Sequence, residues 1–303
     1  MGFNNPSWTW NELEAALSGH TGRDGRAPGS PSWNSGGDGP AWSRKRQPFE
    51  PDGVERRTGS VPYAELHCHS NFSFLDGASH PEELATEAAR LGLEALALTD
   101  HDGFYGIVRF AEAARAVGLP TVFGAEITLT AGLAPDQRVT LDEQHTLTQV
   151  ATGQVPDHSA PDPHGDHLLL LADGPDGYGH LARTLSLGHL AGEKGAPQFT
   201  LADVARHTAG HVWALTGCRK GSVPRALVDA GPAAARGELH RLIDAFGRDR
   251  VLVELWDHGD PLDSARNDAL AELAARNDVG CVATTNAHYA TCLLYTSPSP
   301  RDS

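Results

Sequence analysis

The sequence predicts an α/β fold, a parallel sheet covered by helices and either closed as a barrel or left open as a doubly wound sheet. Seven short apolar runs alternate with stretches of helical periodicity between Pro62 and Thr291. Most of those runs end or begin beside His, Asp, Glu or Cys, as strand ends that share a functional rim do. Finally, 303 residues with 40% apolar content suffice to enclose a large core.

Taken in order, residues 1–18 predict a short helix, with Asn11 as its cap and Leu13, Ala16 and Leu17 on one face. Residues 19–60 turn to Gly, Pro, Ser and Arg with almost no aliphatics, a composition that cannot offset the entropy of ordering; a disordered linker is expected. A domain over 61–291 follows. Its candidate strands are YAEL before His67, LEALAL before Thr99, TVF before Gly124, LLLLA after His167, VWAL before Thr216, VLVEL before Trp256 and CVAT before Thr285. Between them, Pro81 opens a helix with Glu82 and Glu83 in its first turn, Leu84, Ala88 and Leu91 share a face, and Gly92 closes it. Further helices are expected over 107–117, 178–190, 239–246 and 264–276. Residues 131–166, polar and rich in Pro and Gly, break the rhythm as a flexible insertion. The last segment, CLLYTSPSPRDS at 292–303, resembles the conceptual translation of a sequencing adapter and is read as a non-native tail.

A net charge of −15 sets up a field that repels phosphate backbones, so any nucleic acid must be held locally or elsewhere. Four cysteines without CxxC spacing fit a reducing compartment. With neither a basic, apolar leader nor an apolar run near the roughly 18 residues of a membrane span, a cytoplasmic protein with no membrane partner is expected.

The chemistry gathers at the strand ends. His67 and His69 stand two apart on an extended segment and point the same way, with Asp76 in the next loop. Thr99-Asp100-His101-Asp102 ends the second run, Gly124-Ala125-Glu126 the third, and His167 opens the fourth; Cys218 follows the fifth and Asn286-Ala287-His288 the seventh. Imidazoles, carboxylates and one thiol are the donors that Zn²⁺ or Mn²⁺ accepts. Asp100 and Asp102 are candidates to orient His101. Arg219 and Lys220, in a Gly-flanked loop by the same rim, are candidate phosphate contacts.

The segment from AELHCHSNFSFLDG through TDHDG to VFGAEITL, together with HLLLLADGPDGYGHLARTLSLGHL, LTGCRKGSVPRAL and ATTNAHYAT, resembles the PHP family. It is most similar to the PHP domain at the N-terminus of error-prone C-family bacterial DNA polymerases. That resemblance implies a distorted seven-stranded (β/α) barrel binding up to three divalent ions through His67, His69, Asp76, His101, Glu126, His167, Cys218 and His288. Asn286 occupies a ninth position, where the family motif reads Asp-x-His; its amide offers only a neutral carbonyl. His288 and Asp76 are the implied catalytic groups. The implied activity is metal-dependent phosphoester hydrolysis, as a 3′-5′ exonuclease, or a structural role. It would belong to a truncated fragment of a protein that synthesises DNA past damage, its Mg²⁺ polymerase site, its DNA contacts and any replication or repair partners being supplied beyond Thr291. A stand-alone phosphatase similar to histidinol-phosphate phosphatases and a non-catalytic scaffold are the alternatives.

Overall fold

The computed structural model describes residues 49, 51, 53–57, 61–74, 76–130, 165–192 and 196–291. The expected helix at 1–18, most of the disordered arm at 19–60, most of the 131–166 insertion and the tail at 292–303 lie outside the described residues. Two of the described linker positions are bonded to the domain: Arg57 N–H donates to Arg90 O at 2.9 Å, and the Arg56 guanidinium to Leu93 O at 2.9 Å.

Seven strands form one sheet in sequence order: β1 Ala64–Glu65, β2 Ala95–Leu98, β3 Thr121–Leu129, β4 Asp166–Ala172, β5 Val212–Leu215, β6 Val251–Trp256 and β7 Gly280–Thr284. All seven apolar runs are strands. The helices are α1 Pro81–Leu91, α2 Ile107–Val117, α3 Gly174–Ala191, α4 Leu201–Thr208, α5 Ser222–Ala230, α6 Pro232–Phe246 and α7 Asp263–Arg276. Gly92 and Gly118 close α1 and α2 in the left-handed region at φ 78° and 67°, where a side chain would be strained. α3 and α6 begin earlier than their periodicity suggests because each carries a proline in its first turn.

The sheet is not wholly parallel. β4 runs antiparallel to both β3 and β5, with Leu129 opposite Asp166 and Gly124 opposite Leu171. Asp166, read as the end of the insertion, is therefore the first residue of a strand. The reversal also brings the start of β4 to the rim where the parallel strands end.

Alternation along the strands separates two apolar layers. Ala125, Ile127, Leu168 and Leu170 pack outward against Leu181, Leu239 and Leu270 of the helices, while Leu169, Leu171 and Leu215 fill the interior with Leu252 and Val282. By the same parity, Glu126 and His167 project inward. Past β1 and β7 the two sheet edges meet: Ala287 N–H donates to His67 O, and His69 N–H to Ala287 O, each at 2.9 Å. Glu65, 3% exposed, locks this closure. Its carboxylate accepts from His67 N–H at 2.8 Å, Tyr63 O–H at 2.8 Å, and the Thr285 N–H at 2.9 Å, with the Thr285 hydroxyl as a fourth donor. The result is a nearly closed seven-stranded barrel. Among the described residues, no helix is long and apolar enough to cross a membrane.

Candidate metal centre

Six of the residues singled out in the sequence converge at the rim. Three overlapping groups, His67/His69/Glu126, His69/Asp76/His101 and His101/Glu126/His167, each bring their ligand atoms within 4.8 Å of one another. Glu126 is the hub. Its Oε1 lies 3.5 Å from His67 Nε2 and 3.3 Å from His167 Nδ1, and its Oε2 3.3 Å from His69 Nε2 and 3.2 Å from His101 Nδ1. Glu126, His67, His69 and His167 are buried, whereas Asp76 and His101 reach the surface and mark the opening.

The donor set fits divalent cations. His67 Nδ1 is engaged by Glu254 Oε1 at 2.7 Å and His69 Nδ1 by Ser73 Oγ at 3.1 Å, so their Nε2 atoms face each other across 3.1 Å. Both ring nitrogens of His101 face carboxylates, Asp76 Oδ2 at 3.0 Å and Glu126 Oε2 at 3.2 Å. A neutral imidazole has one N–H, so lone pairs here outnumber the protons available to separate them. Ions bound by nitrogen and carboxylate oxygen, such as Zn²⁺ or Mn²⁺, meet that need.

The electrostatics have the same sense. Burial opposes charge on His67, but the Glu254 and Glu126 carboxylates outweigh it and hold the imidazole well above its ordinary value. Burial likewise opposes charge on Glu126, and the His67 charge with the bonded imidazoles holds it well below the carboxylate range. Asp76 is lowered despite burial because His101 and His288 bond to it. His69 falls to about 3 through burial, against the pull of Glu126 and aided by the neighbouring His101.

The other predicted residues stand around this hub. His288 Nδ1 is 3.1 Å from Asp76 Oδ1, and its Nε2 is 3.0 Å from Asn286 Oδ1, so Asn286, at φ 46°, contacts His288. Cys218 is buried outside the three groups; burial and then the Glu126 charge push its thiol up to about 12. Arg219 is directed at the start of α7, 3.4 Å from Asp263 and 3.8 Å from Asp260. Lys220 borders the centre: burial lowers its pKa while Asp76 and Glu126 act in the opposite sense, and its carbonyl accepts from His167 N–H at 3.1 Å.

Asp100 and Asp102 fix the loops around His101. Asp100 Oδ1 accepts from Ser70 N–H at 2.7 Å and Ser73 O–H at 2.9 Å, and Asp102 Oδ1 from Thr128 N–H at 2.8 Å. Ser73 and Thr284 went unnoticed in the sequence. Glu254, by contrast, is a carboxylate inside the apolar run VLVEL, fully buried against His67 and bonded by Thr284 O–H at 2.5 Å. Glu254→Gln keeps the shape and removes the charge behind His67. It is expected to weaken metal affinity 10–100-fold, on the scale of lost outer partners of ligating histidines, in a competition titration against a chromogenic chelator.

The pattern of the PHP domain family matches residues 65–258. The chain is 50% identical over 291 residues, 96% of its length, to an error-prone DNA polymerase of Mycobacterium bovis, and 46% identical over 292 residues to one of Cutibacterium acnes. It spans about a quarter of those relatives, 24% and 23% of their lengths. A candidate metal-dependent phosphoesterase of Bifidobacterium adolescentis overlays with a TM-score of 0.48 at 19% identity, covering 76% of this chain and 88% of that one. With its histidines and carboxylates gathered on the rim of a seven-stranded barrel and the family pattern running through most of that barrel, the chain belongs to the PHP domain family.

Proposed function

We propose that the rim is a metal-dependent phosphoesterase centre that hydrolyses phosphodiesters, acting as a 3′-5′ exonuclease within an error-prone DNA polymerase. The observation that carries this reading is the buried Glu126 carboxylate ringed by four imidazoles. His67, His69, Asp76, His101, Glu126 and His167 would hold the ions, with Cys218, His288 and the amide of Asn286 flanking them. Divalent ions bound there polarise phosphoryl oxygens and lower the pKa of bound water.

The chain's own groups do the rest. Asp76 and His288, 3.1 Å apart at the opening, orient the attacking water, and the His288 imidazole receives its proton. Lys220 offsets charge on the phosphoryl group at the edge of the centre. Glu254 and Ser73 hold His67 and His69 with their Nε2 atoms turned inward.

The polymerase context is supported by identity along nearly the whole chain to proteins four times its length. In that setting, DNA-directed synthesis past damage, the Mg²⁺ polymerase site, and contacts with DNA and with replication or repair proteins belong to the full-length protein. Reading the genomic frame past Thr291 tests this: a long open frame is expected, and an immediate stop overturns it.

For the hydrolytic centre, the purified chain is stripped with a chelator and assayed on a 3′-labelled single-stranded oligonucleotide. Stripping is expected to abolish cleavage and added Zn²⁺ or Mn²⁺ to restore it. A chain that takes up no ion and cleaves nothing when loaded refutes the proposal.

A further inference from the structure

Two large rings stand out in solvent, each on a loop that carries one of the groups of this centre. Phe74 is 80% exposed and lies two residues before Asp76; Tyr105 is 57% exposed and lies four residues after His101.

Described neighbours hold the approach to each ring. The residue before Phe74, Ser73, is buried and tied by its N–H to Ser70 O at 2.9 Å, while its carbonyl accepts from Asp76 N–H at 3.0 Å and Gly77 N–H at 2.9 Å. Tyr105 is braced from behind: its ring lies so close to Gly103 that a Cβ there would come within 2.2 Å of it. Its hydroxyl is 3.4 Å from His189 Nε2, which lies 2.7 Å from Asp102 O. A third ring, Tyr289, lies 6.2 Å from that of His288.

Exposed rings on the loops that carry the groups of a phosphate-cleaving site are suited to flat apolar groups attached to phosphate. The net charge of −15 makes the same point from the other side. A chain whose long-range field repels phosphates gains little from tracking a backbone by charge, whereas stacking holds any base regardless of sequence. A small aliphatic phosphomonoester would have no use for either ring.

We propose that Phe74 and Tyr105 form a stacking platform for the terminal bases of a single-stranded nucleic acid whose last phosphodiester enters the metal centre. The inference rests on the phosphoesterase reading and names the substrate class of that site.

The test compares a single-stranded oligonucleotide with one whose last two nucleotides are abasic, using the metal-loaded chain. Removing the bases is expected to raise KM on the order of tenfold with kcat little changed. Phe74→Ala and Tyr105→Ala should each raise KM by a similar factor for the normal oligonucleotide and leave the abasic one unaffected, and Phe74→Trp should restore binding. Fluorescence anisotropy of labelled oligonucleotides on the metal-free chain reads the same discrimination without hydrolysis. Equal KM and equal anisotropy for the two oligonucleotides, or variants indistinguishable from the parent, overturn the platform whether or not cleavage occurs. Base-dependent anisotropy without cleavage sustains the platform and overturns the hydrolytic reading.

Discussion

Glu126→Ala is expected to strip the centre of its ions and lower kcat/KM for a phosphodiester such as bis-p-nitrophenyl phosphate by about 10³-fold or more. The reason is geometric. Glu126 belongs to two of the three ligand groups, and its two oxygens lie within 3.5 Å of nitrogens from four histidines contributed by three other segments. Without it, His67, His69, His101 and His167 lose the carboxylate they share, and of the carboxylates in the three groups only Asp76, on the side of His69 and His101, remains. Any proton or ion taken up then repels the next. Elemental analysis of the purified variant should show the loss of metal directly, and circular dichroism should show the barrel retained. A variant that keeps its full complement of ions would place the centre elsewhere.

Glu65→Ala is expected to destabilise the metal-stripped chain by about 4 kcal/mol, read as a lower midpoint in urea, because four donors lose their acceptor inside a buried junction. Unfolding free energies of single domains are about 5–15 kcal/mol, so this is a large fraction of the total. The loss should reach the metal site as well. His67 N–H is one of the four donors, and the same residue carries a candidate ligand. Glu65→Gln should fall between parent and alanine variant, since an amide retains one accepting oxygen but turns an NH₂ group toward donors. A variant as stable as the parent would mean that the backbone pairing between His67–His69 and Ala287 suffices to close the barrel.

The candidate site is legible in the sequence wherever a candidate ligand ends or opens an apolar run, as His67, His69, His101, Glu126 and His167 do. The supporting groups are harder to see. Ser73 acts through the orientation of His69 and the backbone of His101, and a serine in a loop carries no periodic signal. The strands are legible because they are apolar and short, but direction is not encoded in LLLL, so the antiparallel β4 emerges only from the register. An all-parallel sheet would in fact have stranded His167 on the far rim. The two helices not foreseen, α4 and α5, have eight and nine residues; at that length packing rather than pattern sustains a helix.

The reversal of β4 has an evolutionary consequence. Parallel neighbours must be joined by a crossover that travels the length of the barrel, so their connections cannot change freely. β3 and β4 instead leave and re-enter the sheet opposite each other, at Leu129 and Asp166 on the rim of the candidate metal centre. Lengthening a chain whose ends are already held together costs only a slowly growing closure entropy. That junction is therefore a place where lineages can trade whole segments beside the candidate site, and where a foreign domain could be grafted without redrawing the barrel.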